Sequence, residues 1–286
     1  MIVSTTLKDI LINIDTEIGS IYPKEEVKAI SSLLIQHITG FSKLELHTRK
    51  DEVIETNEVK QVEKAIGLLK QHIPVQYVIG ETEFYDIPIK VSPVVLIPRP
   101  ETEELVYLAL KSNLPVNSKV LDIGTGSGCI AIALAKNLPN SEVFAMDVSF
   151  EALEIARKNA EDIGVNIHFF QRDILKQSMG GTGQYDLIIS NPPYVTISEK
   201  RKMGKNVINN EPHLALFVPD SDPLRFYKSI ALFAREHLNK DGWVMAEINE
   251  QYGEETAEIF REQGFINIEI IKDINGKDRI IKIQYT

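Results

Sequence analysis

The run Asn191-Pro192-Pro193-Tyr194 follows directly on Asp186-Leu187-Ile188-Ile189-Ser190, and its residue types suit one kind of chemistry. Each proline fixes its own φ, removes a backbone donor and pushes the preceding residue toward extended geometry, so the segment forms a stiff corner beyond a strand. Its free polar groups are the Asn191 carboxamide and the proline carbonyls, with the Tyr194 ring beside them. A corner whose prolines offer carbonyls and no N–H fits a planar substrate that carries an NH₂ group. The lone pair of such a nitrogen is delocalised and attacks a carbon electrophile poorly. When the Asn191 side-chain oxygen and the Pro192 carbonyl accept its two N–H bonds, the lone pair is turned toward the electrophile and Tyr194 can pack on the flat face. Fixed orientation of this kind is worth effective molarities of about 10⁵–10⁸ M, and the acceptors match the positive charge that develops on nitrogen. Asn191, Pro192 and Tyr194 are therefore the candidate catalytic residues, and Asn191, Pro192, Pro193 and Tyr194 the candidate substrate-binding set. The bland alternative is a proline-rich loop that closes a buried strand.

A second run, Gly124-Thr125-Gly126-Ser127-Gly128, lies between the strand pattern 119–123 and a helix that opens at Cys129. Glycines at such a junction permit a tight turn and let a ligand lie against bare backbone. The spacing is G-x-G-x-G; it lacks the dinucleotide fingerprint G-x-G-x-x-G and the Gly-Lys-Ser/Thr ending of a P-loop. Asp147 ends the next strand, where a carboxylate can accept from both hydroxyls of a ribose, and Arg172-Asp173 ends a third strand at the same edge. Ligands of open α/β sheets lie along this carboxyl edge. Together these features resemble the class I S-adenosylmethionine-dependent methyltransferases. The resemblance implies S-adenosylmethionine as cofactor, with Gly124, Thr125, Gly126, Ser127 and Gly128 around its methionine portion, Asp147 on the ribose, and Asp173 and Ile174 near the adenine. A sulfonium methyl is already activated, so the tetrad needs neither a metal nor a strong base. The bland alternatives are a turn that needs glycine for backbone reasons alone and a solvated Asp at a strand end.

Elements must hold these positions along one sheet edge. After Pro100, helix and strand patterns alternate: helix 102–112, strand 119–123, helix 129–136, strand 142–147, helix 150–161, strands 167–171 and 185–190, helix 223–238, strand 243–248 and helix 253–263. Such alternation predicts a mainly parallel sheet covered by helices on both faces. The runs 266–272 and 279–285 flank Asn275-Gly276, a dipeptide suited to a tight turn, so an antiparallel hairpin ends the chain's pattern. The first seventy-odd residues read as helices: Leu7, Ile10, Leu11, Ile14 and Ile18, then Val27, Ile30, Leu33, Leu34 and Ile38, then Val59, Val62, Ala65, Ile66 and Leu69 repeat at helical spacing. Pro23 sits where the second helix begins and Gly40 where it stops. From Val75 to Pro98 the pattern changes to short extended runs punctuated by prolines, including Val94-Val95-Leu96-Ile97. The predicted organisation is a helical bundle over 1–74, a β-hairpin linker over 75–99 and the α/β domain over 100–286.

Composition narrows the function. The 286 residues include 31 Lys+Arg and 41 Asp+Glu, a formal net charge of −10, which disfavours a nucleic-acid partner. With 43% hydrophobic residues the chain can bury a substantial core. Its longest purely apolar run, 129–135, falls far short of the roughly 18 residues that span a bilayer, and the N-terminus lacks a basic segment followed by an apolar block. Secretion and membrane insertion are therefore not expected. A lone Cys129 can form neither an intrachain disulfide nor a cysteine-based zinc site, and six histidines lack metal-ligand spacing, so a cytoplasmic protein without a metal is expected. Cys129 reads as packing and His213 as a capped or surface residue.

The tetrad is shared by enzymes that methylate adenine N6, cytosine N4 and glutamine side-chain amides. Gly80-Glu81-Thr82-Glu83-Phe84-Tyr85, 96–103 with its Arg99-Pro100-Glu101-Thr102-Glu103, 122–130 and 190–194, arranged behind a helical bundle, closely resemble the HemK/PrmC family of peptide chain release factor glutamine methyltransferases. The likeness covers essentially the whole chain. It implies methylation of the glutamine in the release factors' Gly-Gly-Gln loop, with the bundle helping to dock the protein substrate; a monomer is expected. Carried over by position, it adds Asn191 to the cofactor contacts. Arg99 and Glu101 either organise the linker and the methionine end of the pocket or form a structural ion pair. Glu211-Pro212-His213-Leu214-Ala215-Leu216 matches another family segment, but Asn210 stands where an aromatic residue is usual and Val218-Pro219-Asp220 replaces a glycine-containing turn. Ile174 also occupies a place often aromatic in relatives, so adenine stacking there is expected to be weaker or replaced by aliphatic contact. The rival readings are a glutamine methyltransferase of a ribosomal protein, a nucleic-acid amino-group methyltransferase, and a noncatalytic S-adenosylmethionine-binding regulator.

Overall fold

The computed structural model describes residues 5–176 and 183–286; residues 1–4, at the head of the expected bundle, lie outside that description. The chain divides into two compact units, Met1–Gly80 with Gly204–Asn210, and Glu81–Met203 with Glu211–Thr286.

In the first unit the amphipathic repeats form α1 (Leu7–Ile18), α2 (Lys24–Thr39), α3 (Lys43–Thr48), α4 (Thr56–Leu69) and α5 (Val75–Ile79). A Thr6/Asp9 capping box starts α1, and Pro23 and Gly40 bracket α2 as the sequence predicts. Leu7, Ile10, Ile14 and Ile18 meet Val27, Ile30, Leu34, Val62, Ile66 and Leu69 in one core, where each fully buried aliphatic side chain contributes about 1.5–3 kcal/mol. Of these five, the short α3 and α5 are not predicted by the periodicity. In α3, one and a half turns are too few for a periodic signal, although the Ser42/Glu45 capping box marks its start. In α5, the run read as extended is helical: Pro74 precedes it with φ −54 and Gly80 stops it in the left-handed region.

The second unit opens with an antiparallel pair, β1 (Glu81–Phe84) and β2 (Ile87–Lys90). Residues 94–97 form no strand; they run as a loop between Pro93 and Pro98 with Val95 and Ile97 buried. Then come α6 (Pro100–Lys111), β3 (Lys119–Ile123), α7 (Cys129–Asn137), β4 (Glu142–Asp147), α8 (Phe150–Ile163), β5 (His168–Gln171), β6 (Tyr185–Ser190), the short β7 (Val195–Thr196), α9 (Lys205–Asn210, part of the first unit), α10 (His213–Leu216), β8 (Phe217–Val218), α11 (Arg225–His237), β9 (Leu238–Glu247), α12 (Gly253–Glu262), β10 (Asn267–Lys272) and β11 (Asp278–Gln284). Seven strands form one sheet in the order β10-β11-β9-β6-β3-β4-β5. Pairs among β9, β6, β3, β4 and β5 are parallel, whereas β11 runs antiparallel to both β9 and β10. The α/β layering and the closing hairpin match expectation. β9 starts at Leu238, earlier than predicted, because Asn239-Lys240-Asp241-Gly242, which reads as a turn, is accommodated as an irregularity: Leu238 pairs with Tyr185 and Trp243 with Leu187. From β3 the chain steps one way through β4 and β5, then crosses to β6 on the other side. The loops leaving β3 and β6 diverge, and a crevice opens at their carboxyl ends.

Candidate active site

A cavity of about 560 Å³ occupies that crevice, within the size of a small-molecule site. Gly124, Gly126, Asp147, Asp173, Ile174, Asn191, Pro192 and Pro193 all line it, together with Pro93–Leu96 residues of the loop after β2, Leu214 and Phe226. Two sites that lie 67 residues apart in sequence, the glycine loop and the Asn-Pro-Pro corner, therefore share one space; the ends of their strands are joined where Ser190 Oγ donates to the Ile123 carbonyl at 2.7 Å.

The glycine loop is held by backbone groups of β4. Gly124 and Thr125 N–H both donate to the Met146 carbonyl (2.8 and 3.0 Å). Gly126 N–H donates to Asp147 Oδ2 and Ser149 N–H to Asp147 Oδ1, each at 2.9 Å. Burial pushes the Asp147 carboxyl up from its ordinary value, and these N–H bonds oppose that rise. Gly126 has φ +55 and nothing within 4 Å of the place a Cβ would take, so a side chain there would fill space that a ligand can use. Bare backbone beside a carboxylate with lone pairs to spare fits the methionine and ribose portions of S-adenosylmethionine. Asp173 Oδ1 accepts from Leu175 N–H at 3.0 Å, which leaves Ile174, 8% exposed, as an aliphatic wall of the cavity.

Four predicted site residues do not line the cavity. Thr125 is 4% exposed and donates from Oγ1 to Asp122 Oδ2 at 2.6 Å. Asp122 is wholly buried, and burial pushes it up to about 7. Ser127 is 2% exposed, and Gly128 begins α7 against Ala156. These three shape the loop from behind. Tyr194 is the fourth: its ring packs with the sheet core and its hydroxyl donates to Glu247 Oε1 at 2.6 Å, so the flat-face role expected of it is not the arrangement seen.

Three side chains that sequence reasoning passed over hold the site together. Asn159 of α8 donates to the Ser127 carbonyl (2.9 Å) and the Lys90 carbonyl (3.0 Å), and accepts from Lys90 N–H (2.9 Å), tying the glycine loop to β2. Thr102 Oγ1 accepts from Asn191 Nδ2 at 3.0 Å and donates to Glu247 Oε2 at 2.8 Å. Glu247, 1% exposed, ends β9. Its position after four apolar strand residues was the available signal. Arg99 pairs with Glu211 at 2.7 Å, and Ile97 N–H donates to the same carboxylate at 3.3 Å; the ion pair thus involves Glu211. The Cys129 thiol, pushed by burial to about 12, is packing as predicted. Among the described residues no helix is long and apolar enough to cross a membrane.

Sheet order, glycine loop and strand-end Asp define a class I S-adenosylmethionine-dependent methyltransferase. A solved methyltransferase from Pyrococcus furiosus shares the fold at TM-score 0.53 and 21% identity, covering 80% of this chain and 98% of that one. The methyltransferase small domain family matches residues 104–215 and the PrmC N-terminal domain family residues 21–80. Release factor glutamine methyltransferases of Bacteroides thetaiotaomicron and Flavobacterium psychrophilum are 47% and 43% identical over 262 and 272 residues, covering 91% and 94% of this chain and 94% and 95% of those proteins. The chain belongs to the release factor glutamine methyltransferase family.

Proposed function

We propose that this enzyme methylates the side-chain amide nitrogen of the glutamine in the Gly-Gly-Gln loop of release factors, in the cytoplasm, with the helical unit helping to dock the protein substrate. When bound, S-adenosylmethionine supplies a methyl group activated by its sulfonium. Asp147 would hold the ribose, the Gly124–Gly126 backbone would border the methionine portion, and Asp173 and Ile174 would flank the adenine. Asn191 Oδ1 and the Pro192 carbonyl accept the two N–H bonds of the glutamine amide, which orients its lone pair and stabilises the charge that grows on nitrogen. The proton leaves after transfer, so no strong base is required. The −10 net charge supports a protein over a nucleic acid as the partner.

One observation carries this reading: the acceptors of the Asn191-Pro192 corner border the same cavity as Gly126 and Asp147. The test is mass spectrometry of purified release factors after incubation with enzyme and S-adenosylmethionine. One added methyl on the loop glutamine is expected; a release factor left unmodified, or modified at another residue, would refute the reading.

A further inference from the structure

An asparagine can hold a substrate amide only if its carboxamide faces the right way. With Oδ1 toward the cavity Asn191 accepts an N–H; turned over, it presents a second donor to a donor. Whatever decides that orientation decides whether the corner works. Resting on the reading of Asn191 as the acceptor for the glutamine amide, we propose that Glu247 is a positioning residue whose acceptor-only carboxylate, acting through Thr102, fixes the Asn191 carboxamide with its oxygen toward the substrate.

The relay follows from the number of hydrogens available. The Thr102 hydroxyl carries one hydrogen and lies 2.8 Å from Glu247 Oε2 and 3.0 Å from Asn191 Nδ2. Burial pushes the Glu247 carboxyl up, while the bonds from Tyr194 and Thr102 and the Arg279 charge pull it back; as the carboxylate it only accepts, so the hydroxyl hydrogen points to Glu247. Thr102 Oγ1 is then left with lone pairs alone toward Asn191, and only the NH₂ arm of the carboxamide can face it. Oδ1 is turned to the other side by elimination. Both intermediaries are sealed from water, Thr102 at 2% and Glu247 at 1% exposure, so no solvent molecule substitutes for a lost partner without cost.

The far end of the relay is equally constrained. Glu247 Oε1 accepts from Tyr194 OH at 2.6 Å. A carboxylate has no hydrogen to give, so the tyrosine hydrogen goes to Glu247, and the Arg279 charge near the Tyr194 hydroxyl favours the same direction. Tyr194 thereby acts through Glu247, which gives this motif residue a role away from the cavity. A glutamine at 247 would have to offer Oε1 to Tyr194 and its NH₂ to Thr102. The Thr102 hydrogen would then point to Asn191 and invert its carboxamide.

Thr102→Val, Thr102→Ser and Glu247→Gln are each compared with wild type for kcat on a release factor and for S-adenosylmethionine affinity by calorimetry. Thr102→Val and Glu247→Gln are expected to lower kcat about 10–100-fold, the range of a misplaced reacting group, while cofactor Kd stays within about threefold. Thr102→Ser keeps the hydroxyl and is expected to recover most of the rate, which a packing role for the threonine methyl would not allow. Wild-type kcat in Thr102→Val or Glu247→Gln, or a Thr102→Ser enzyme as slow as Thr102→Val, overturns the relay. Should one of the two disabling variants fail to fold, the other decides. If wild type itself leaves the glutamine unmodified, the functional reading falls and the relay with it; an active wild type with unaffected variants removes the relay alone.

Discussion

Adding a single methyl group at two glycines of one loop should separate stability from binding. Gly128 has φ +83, and a Cβ there would lie 3.0 Å from Ala156 Cβ and 3.2 Å from both Ala156 Cα and Ile132 Cδ1. The left-handed conformation costs an L-residue about 1–2 kcal/mol, and crowding a packed wall adds about 1–3 kcal/mol. Gly128→Ala is therefore expected to lose about 2–5 kcal/mol, a fall in melting temperature of about 4–20 °C for a unit of this size. Gly126→Ala meets nothing within 4 Å and carries only the conformational cost, about 1–2 kcal/mol. Its methyl instead projects into the open space of the cavity, so S-adenosylmethionine should bind at least about tenfold more weakly, equivalent to about 1.4 kcal/mol. Scanning calorimetry reads the first effect and titration calorimetry the second. A Gly128→Ala protein that melts within about 1 °C of wild type, or a Gly126→Ala protein with unchanged cofactor affinity, would refute the assignment of Gly128 to packing or of Gly126 to the pocket.

Asn191→Ala should lower turnover about 100-fold or more while cofactor Kd changes by less than about threefold; near-normal kcat would remove Asn191 from the chemistry. If Asp147 accepts from both ribose hydroxyls as proposed, Asp147→Ala removes both bonds, and at about 1.5–3 kcal/mol for each charged hydrogen bond cofactor Kd should rise about 100-fold or more. Unchanged affinity by calorimetry would exclude the ribose contact. Asp122 is pushed by burial from 3.8 to about 7, with Thr125 opposing and the nearby Asp147 charge adding to the rise. A carboxyl raised on folding stabilises the fold below about pH 4 and loses that contribution as pH climbs through about 7. Asp122→Asn carries no such loss, so urea unfolding should show the variant gaining on wild type from pH 4 to 7; a stability difference flat with pH would show that Asp122 titrates normally.

Local patterns were legible where a single element sufficed. The bounds of β3, β4 and β6 fall where the apolar runs predicted them, and the loop and corner that follow β3 and β6 meet at one cavity. What escaped were relations across the chain. Thr102 and Glu247 lie 145 residues apart, and Asn159 reaches Lys90 across 69; such partners leave no periodic trace. Adjacency to Asn191 puts Tyr194 on the substrate, yet in the loop after β6 its ring packs against the core and its hydroxyl reaches Glu247. Spacing groups Thr125, Ser127 and Gly128 with Gly124 and Gly126, whereas only Gly124 and Gly126 border the cavity, Thr125 and Ser127 are buried behind it and Gly128 packs on Ala156. Short segments failed for a different reason: five residues of α5 between Pro74 and Gly80 carry too little periodicity to distinguish a helical turn from an extended run.

The placing of β11 between β9 and β10 bears on biosynthesis. Residues 278–284 emerge from the ribosome after β10, yet they pair with Trp243–Glu247 on one side and Asn267–Lys272 on the other. Until they arrive, the nascent sheet presents an unpaired rim at β9 and β10 cannot take its place. That rim is the kind of surface on which chains aggregate or chaperones bind. Arg279 travels on the same late strand, so the counter-charge beside Tyr194 and Glu247 is missing until then. Completion of the sheet and electrostatic maturation of the buried carboxylate are thus a single late event.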